Sequence, residues 1–172
     1  DYVVLALGTE TNSFGMQNVK ESSLPMKTID EALNLRNHLL LNMEKAVRAD
    51  TKAERDRLLN IVIAGGGPTG VELAGMLAEL GQNIARKEYP EIPDFGAHLY
   101  LVDAGPTLLA PMSKKAQQEA TDVLQKLGVH ITLNTAVKDY VDGKVVLANG
   151  QQIETNALIW ASGVVARGVP GL

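Results

Sequence analysis

The sequence predicts an α/β fold: a parallel sheet with helices on one or both faces, joined to a three-stranded antiparallel β-meander. Three observations predict it. The short apolar run Ile61–Ala64 reads as a strand buried on both faces, Leu99–Val102 as a second strand and Ala157–Ala161 as another buried one. Between the first two, and again after the second, apolar residues recur at helical spacing. Beyond residue 133 the dipeptides Asp142-Gly143 and Asn149-Gly150 supply the positive φ angles that tight hairpins need.

In chain order, Val3–Leu7 reads as a first strand ending at Gly8, followed by a polar, turn-rich stretch to Pro25. Thr28 and Glu31 form a capping-box pattern, in which hydroxyl and carboxylate each satisfy an orphan amide of a new helix. Ile29, Ala32, Leu33, Leu40, Met43 and Val47 continue it as a long amphipathic helix. The charged segment Arg48–Arg57 is its solvated end or a second short helix. After the strand Ile61–Ala64 and a run of glycines, Val71, Leu73, Ala74, Leu77, Ala78 and Leu80 predict a helix stopped by Gly81. A polar insertion, Lys87–Ala97, leads to the strand Leu99–Val102. Ser113 is the expected N-cap of a helix with Ala120, Val123, Leu124 and Leu127 on its apolar face. Gly128 ends that helix, and Val129–Leu133 is the next strand. Three short strands follow, near Ala136–Val141, Lys144–Ala148 and Gln152–Glu154, before the buried strand Ala157–Ala161 ends at Ser162-Gly163.

Composition narrows the chemistry. The 172 residues suffice for one good-sized core, or a domain plus part of another, and 45% hydrophobic with 21% charged content is ordinary for a globular chain. A net charge of −4 without a basic block gives no reason to expect nucleic acid as a partner. The absence of cysteine excludes thiolate catalysis, disulfides and thiolate-held metals within the chain. His38, His98 and His130 lack metal-ligand spacing, so we expect structural roles for them and no metal site. No apolar run approaches the roughly 20 residues of a membrane span. The opening Asp1-Tyr2, neither a Met nor a basic leader, leads us to expect a segment of a longer protein, without a signal peptide.

The loop Gly65-Gly66-Gly67-Pro68-Thr69-Gly70 follows a predicted strand and opens a predicted helix. That setting turns a weak G-x-G-x-x-G pattern into the Rossmann-like dinucleotide fingerprint. Gly65 permits the tight turn, Gly67 leaves room for a pyrophosphate, and Gly70 lets helix and strand pack closely. Free amides and the positive end of the helix dipole then face the phosphates. Asp103, at the end of the second strand, can accept from both ribose hydroxyls and would repel a 2′-phosphate, which favours NAD(H) over NADP(H). No arginine follows it closely, and the insertion before Leu99 explains why it stands farther from Gly70 than the usual ~20 residues. Glu72, placed in the first helical turn, is either a dipole-stabilised carboxylate or a contact to the nicotinamide end. For Trp160, the one tryptophan, a core role is favoured over ring stacking.

The run Ile63–Gly75 (IAGGGPTGVELAG) resembles the NAD-binding loop of type II, non-proton-pumping NADH:quinone oxidoreductases. Tyr2–Asn12, Leu35–His38, Leu101–Pro106 and Ile159–Val164 fit the same family in the same order. The resemblance implies an FAD/NAD(P)-binding domain type, with an NADH domain inserted into an FAD domain. It implies cofactor contacts at Gly65, Gly66, Gly67, Pro68, Thr69, Gly70, Glu72, Asp103, Ala161, Ser162 and Gly163. The family more often carries Glu at the ribose position, and the shorter Asp103 keeps the charge. Residues 1–59 are then the remnant of the FAD-domain crossover with a connecting helix, 60–163 the NADH-binding domain, and 164–172 the start of the return.

On this resemblance the whole protein passes hydride from NADH to FAD and electrons to quinone, peripherally on the inner face of the cytoplasmic membrane, with a homodimer as a compatible assembly. The quinone and membrane contacts belong to regions not in this sequence, so the segment alone is expected to be inactive and to carry no catalytic residue. Two alternatives stay open: a soluble flavin-dependent reductase with a disulfide, ferredoxin or oxygen acceptor, and a module that senses NADH without chemistry.

Overall fold

Ile61, Val62, Ile63 and Ala64 are all buried, so the strand they form has no solvent face and must lie inside the sheet. A computed structural model, which describes residues 2–92 and 98–168, places it there. In chain order the elements are β1 (Thr9–Thr11), α1 (Gln17–Ser22), β2 (Leu24–Pro25), α2 (Ile29–Val47), α3 (Lys52–Leu59), β3 (Ile61–Ala64) and α4 (Pro68–Leu80). A π-helical turn, Gly81–Ala85, and α5 (Arg86–Glu88) follow, then β4 (Leu99–Val102), α6 (Lys114–Lys126) and β5 (His130–Thr132). The chain continues through β6 (Val137–Val141), β7 (Lys144–Leu147), β8 (Gln152–Glu154), β9 (Ala157–Trp160) and β10 (Val164–Ala166). The parallel sheet has the order β2-β9-β3-β4-β5, β6-β7-β8 form the antiparallel meander, and β1 pairs antiparallel with β10.

Strand alternation sorts the interior into two cores. Ile61, Ile63, Leu99, Leu101, Ala157 and Ile159 face one way, onto α2, α4 and α6. Val62, Ala64, Val102, Leu158 and Trp160 face the other, onto Val137, Tyr140, Val145, Leu147 and Ile153 of the meander. Each large aliphatic side chain so buried contributes about 1.5–3 kcal/mol. Asp142 and Gly143 both take positive φ at the β6–β7 turn, as that hairpin requires. Tyr140 ends in a hydrogen bond to the Thr155 carbonyl at 3.1 Å. Burial raises its phenol above the ordinary range, against the nearby Arg57 charge.

The structure corrects several expectations. Val3–Leu7 forms no strand, and Val3 is 84% exposed. A strand needs a neighbour for its amides, and the edge of β9 is taken by Leu24–Pro25, where proline suits an outer position. The stretch read as turns thus contains β1, α1 and β2. In α2 the capping box is present, with Thr28 Oγ1 accepting from Glu31 N at 3.2 Å and Glu31 Oε2 from Thr28 N at 2.8 Å. Its buried face, however, is Leu35, Leu39, Asn42, Met43 and Ala46, while Ile29 is 80% exposed and Leu33 and Leu40 also face outward. The segment is apolar on more than one face, so periodicity alone could not choose the phase.

Gly81 does not stop α4. Its φ of −59° is right-handed helical, and its amide still bonds to Leu77 and Ala78 carbonyls, so the chain continues into the π-turn. Residues 93–97 of the expected insertion, and 169–172 of the expected return, lie outside the described residues. Ser113 caps α6 as expected, accepting from Ala116 N at 3.3 Å. Val123 nevertheless points outward, and the buried positions are Gln117 and Leu124. Among the described residues no helix is long and apolar enough to cross a membrane.

Candidate functional site

β3, β4 and β9 lie side by side and parallel, so their carboxyl ends open onto one edge of the sheet. Loops leaving that edge converge, which is where open α/β sheets bind ligands. The Gly65 amide extends the β3–β4 ladder to the Val102 carbonyl at 2.8 Å, and the Ala161 amide extends β9–β3 to the Ala64 carbonyl at 2.8 Å. The chain between them must then turn abruptly into α4.

Each glycine of the turn has a distinct reason. Gly65 has φ +121°, and a methyl there would lie 2.8 Å from the Ala161 carbonyl group and 2.9 Å from Ser162 Oγ. A methyl on Gly66 would lie 2.8 Å from Leu108 Cδ2. A methyl on Gly70 would lie 1.8 Å from the Gly65 carbonyl oxygen. Gly67 differs, because nothing lies within 4 Å of its hypothetical methyl. It is the N-cap of α4, and Pro68 occupies the first helical position, where a missing N–H leaves nothing unsatisfied. The amides of Gly67, Thr69 and Gly70 have no acceptor among the described residues. An open surface with free amides at a helix start is therefore present, and it suits an anion.

Asp103 follows β4 and grips this loop. Its Oδ2 accepts from Gly66 N at 2.5 Å and its Oδ1 from Gly105 N at 2.6 Å. A carboxylate has about four lone-pair sites, so two remain for a ligand. The Gly66 carbonyl in turn accepts from Leu109 N at 2.8 Å, which pins that residue from both sides.

The structure therefore brings together Gly65, Gly66, Gly67, Pro68, Thr69, Gly70, Asp103, Ala161 and Ser162. Gly163, with φ +77°, sits against Phe14, where a methyl would lie 2.8 Å from Cζ. Glu72 is the exception. It falls in the second turn of α4, whose first turn has no acidic residue, so the dipole account of this carboxylate is corrected. It is exposed and makes no hydrogen bond or ion pair among the described residues. Trp160 is 5% exposed, donates from Nε1 to the Asn12 carbonyl at 2.9 Å, and meets Phe14 edge-on at 6.4 Å.

Residues that the sequence reading passed over complete the edge. A cleft of about 450 Å³ opens on the meander side of the strand ends, lined by Met16, Ala104, Thr135, Ala136 and Lys138 with Trp160 and Ser162. Ala136-Val137 follow β5 at the carboxyl edge, and that position was the signal available for them. For Met16 there was none, since α1 is brought to the cleft by packing on β6.

The family model described as pyridine nucleotide-disulphide oxidoreductase matches residues 1–169. The chain is 36% identical over 170 residues to the type II NADH:quinone oxidoreductase Ndh of Mycobacterium tuberculosis, covering 96% of this chain and 37% of that one. It is 33% identical over 168 residues to the mitochondrial external NADH-ubiquinone oxidoreductase 2 of Saccharomyces cerevisiae, covering 95% and 31%. In three dimensions it is similar to NDH2 of Plasmodium falciparum, solved in complex with NADH, with a TM-score of 0.86 and 25% identity over 93% of this chain and 34% of that one. The chain thus spans about a third of the length of these relatives.

Proposed function

The chain belongs to the pyridine nucleotide-disulphide oxidoreductase family, and on that premise we propose that it is the NADH-holding part of a flavin-dependent NADH:quinone oxidoreductase. The observation that carries this is the unobstructed Gly67 beside the free amides of Thr69 and Gly70 at the head of α4. A pyrophosphate fits there because glycine leaves the backbone bare and the helix dipole favours negative charge. Asp103, already oriented by Gly66 and Gly105, is placed to accept from the adenosine ribose. Its charge would repel a 2′-phosphate.

The neighbouring cleft takes the adenosine side in this reading, through Ala104, Thr135 and Ala136. Ala161, Ser162 and Gly163 border the nicotinamide side, at the end of β9. Glu72, unpaired on the exposed face of α4, is the remaining group assigned to that end. NADH supplies a hydride when bound, and the proposed acceptor is a flavin held by the rest of the whole protein. In this segment, then, the side chains and amides bind and orient the donor.

The domain assignment of 60–163 to NADH, with 1–59 entering from and 164–172 returning to a flavin domain, is supported by β1 and β10. Their antiparallel pairing, Thr9 opposite Ala166 through Thr11 opposite Val164, holds the entering and leaving segments together. That is the arrangement an inserted domain needs. For the whole protein we further propose quinone as the electron acceptor, the acceptor in its relatives' names, with peripheral attachment to the inner face of the cytoplasmic membrane and a homodimeric assembly.

Titrating the chain with NADH and with NADPH, followed by the emission of Trp160 at the cleft, tests the binding half. No NADH binding at ~1 mM would refute it, and preference for NADPH would refute the role of Asp103. The quinone half is tested on the whole protein by NADH-dependent quinone reduction. Turnover only with a thiol or protein acceptor would overturn that assignment.

A further inference from the structure

We propose that Gln117 is a positioning residue for the glycine loop, acting through Leu109 at a distance from the nucleotide. The proposal rests on the NADH reading of the loop and goes beyond it, to a residue on α6 that no fingerprint contains.

Gln117 is 7% exposed, an unusual place for a primary amide. Its Nε2 donates toward three carbonyls of one turn: Met112 at 3.0 Å, Ala110 at 3.1 Å and Leu109 at 3.5 Å. An amide has two N–H groups, so they are shared among three acceptors that the turn points inward. Its Oε1 is buried with no partner among the described residues. A buried orphan oxygen is unfavourable and calls for an explanation. A hydrocarbon of equal length would fill the space without it, which leaves the donors as what the residue contributes.

Those donors hold a strained turn. Leu109 has φ +50°, a left-handed conformation that a branched side chain resists. In that conformation its N–H reaches the Gly66 carbonyl at 2.8 Å. The Gly66 N–H is held by Asp103 at 2.5 Å, so the peptides on either side of Gly66 are fixed by two points of the β4–α6 connection. The next residue is Gly67, whose open surface receives the pyrophosphate in the proposed reading. Gln117 therefore holds the Leu109 turn, which holds Gly66, which sets the direction of the Gly67 amide. A loop fixed before binding loses less entropy on taking its ligand.

The test is Gln117→Met in the full chain, which keeps length and apolar bulk while removing both donors. We expect NADH to bind about tenfold more weakly, the effect of one lost hydrogen-bonding link. Amide exchange should quicken at Leu109 while Leu101, in the sheet core, stays protected. The NADH-to-NADPH ratio should not change, because Asp103 is intact. A merely structural glutamine would loosen Leu101 along with Leu109 and would leave affinity unaltered well below the unfolding transition. Gln117→Leu provides the same comparison should the methionine variant fold poorly. Wild-type affinity in a folded variant, or unaltered exchange at Leu109, would overturn the proposal. Failure of the unsubstituted chain to bind NADH would instead refute the nucleotide reading, and this inference with it.

Discussion

Gly70 and Gly65 are in backbone contact: a methyl on Gly70 would lie 1.8 Å from the Gly65 carbonyl oxygen. No side-chain rotation relieves such a clash, because the atom in the way is main chain. Gly70→Ala must push α4 away from β3 and is expected to destabilise the chain by about 2–4 kcal/mol, at the upper end for overpacking. NADH binding should be lost with it. Urea unfolding decides the matter, and a midpoint matching that of the wild type would contradict the packing described for this turn.

Gly67→Ala separates binding from folding. Its φ is −74° and its methyl meets nothing within 4 Å, so the substitution enters open space. Alanine is a poorer N-cap than glycine, and the expected loss of stability is about 1 kcal/mol or less. In the proposed reading the methyl would stand where the pyrophosphate approaches, so NADH affinity should fall at least about tenfold. A variant that binds NADH normally would remove this residue from the site.

Asp103→Asn keeps the shape and reverses part of the chemistry. One end of the amide must present N–H groups to the Gly66 or Gly105 amide, both of which are donors. Loss of that bond is expected to destabilise the chain by about 1–3 kcal/mol. With the negative charge gone, NADPH should also gain on NADH. Competitive titration measures the ratio, and an unchanged preference would show that discrimination lies elsewhere.

Glu31 should make stability depend on acidity. Desolvation acts to raise its carboxyl, but hydrogen bonds from the Thr28 and Lys27 amides and the Thr28 hydroxyl, with the Lys27 charge, bring it below its ordinary value. Because the folded value is the lower one, this stabilisation is complete above the unfolded value and is lost as pH falls through the folded value. The Tm advantage of the wild type over Glu31→Gln should therefore be present at pH 7 and shrink below about pH 4. A gap that stays constant across that range would rule out the capping carboxylate as its source.

Much of the fold could be read along the chain. Ile61–Ala64 and Ala157–Trp160 are uniformly apolar and buried at every position, Leu99–Val102 is buried except at the half-buried Tyr100, and all three lie in the parallel sheet. Asp142-Gly143 marked its hairpin because few residues accept positive φ. Thr28 with Glu31, and Ser113, marked helix starts because capping is local chemistry. Where apolar residues exceeded what one face could bury, the reading failed. In α2 the pattern could not decide between the face of Leu35 and Leu39 and that of Leu33 and Leu40. Val3–Leu7 looked like a strand, yet pairing depends on a partner whose position the local pattern does not encode.

The glycine loop and Asp103 were legible because the constraints on them are local: a turn needing φ +121° at Gly65, a helix starting at Pro68, an acid at the end of a strand. From these the sequence by itself determined the fold class and the loop, whose bare amides suit an anion. Only the tertiary structure decided what supports the loop. Gly66 is pinned by Asp103 from 37 residues away and by Leu109 from another turn, and that turn hangs from Gln117. Such contacts form between segments that meet only after the sheet has assembled, and no spacing within one segment records them.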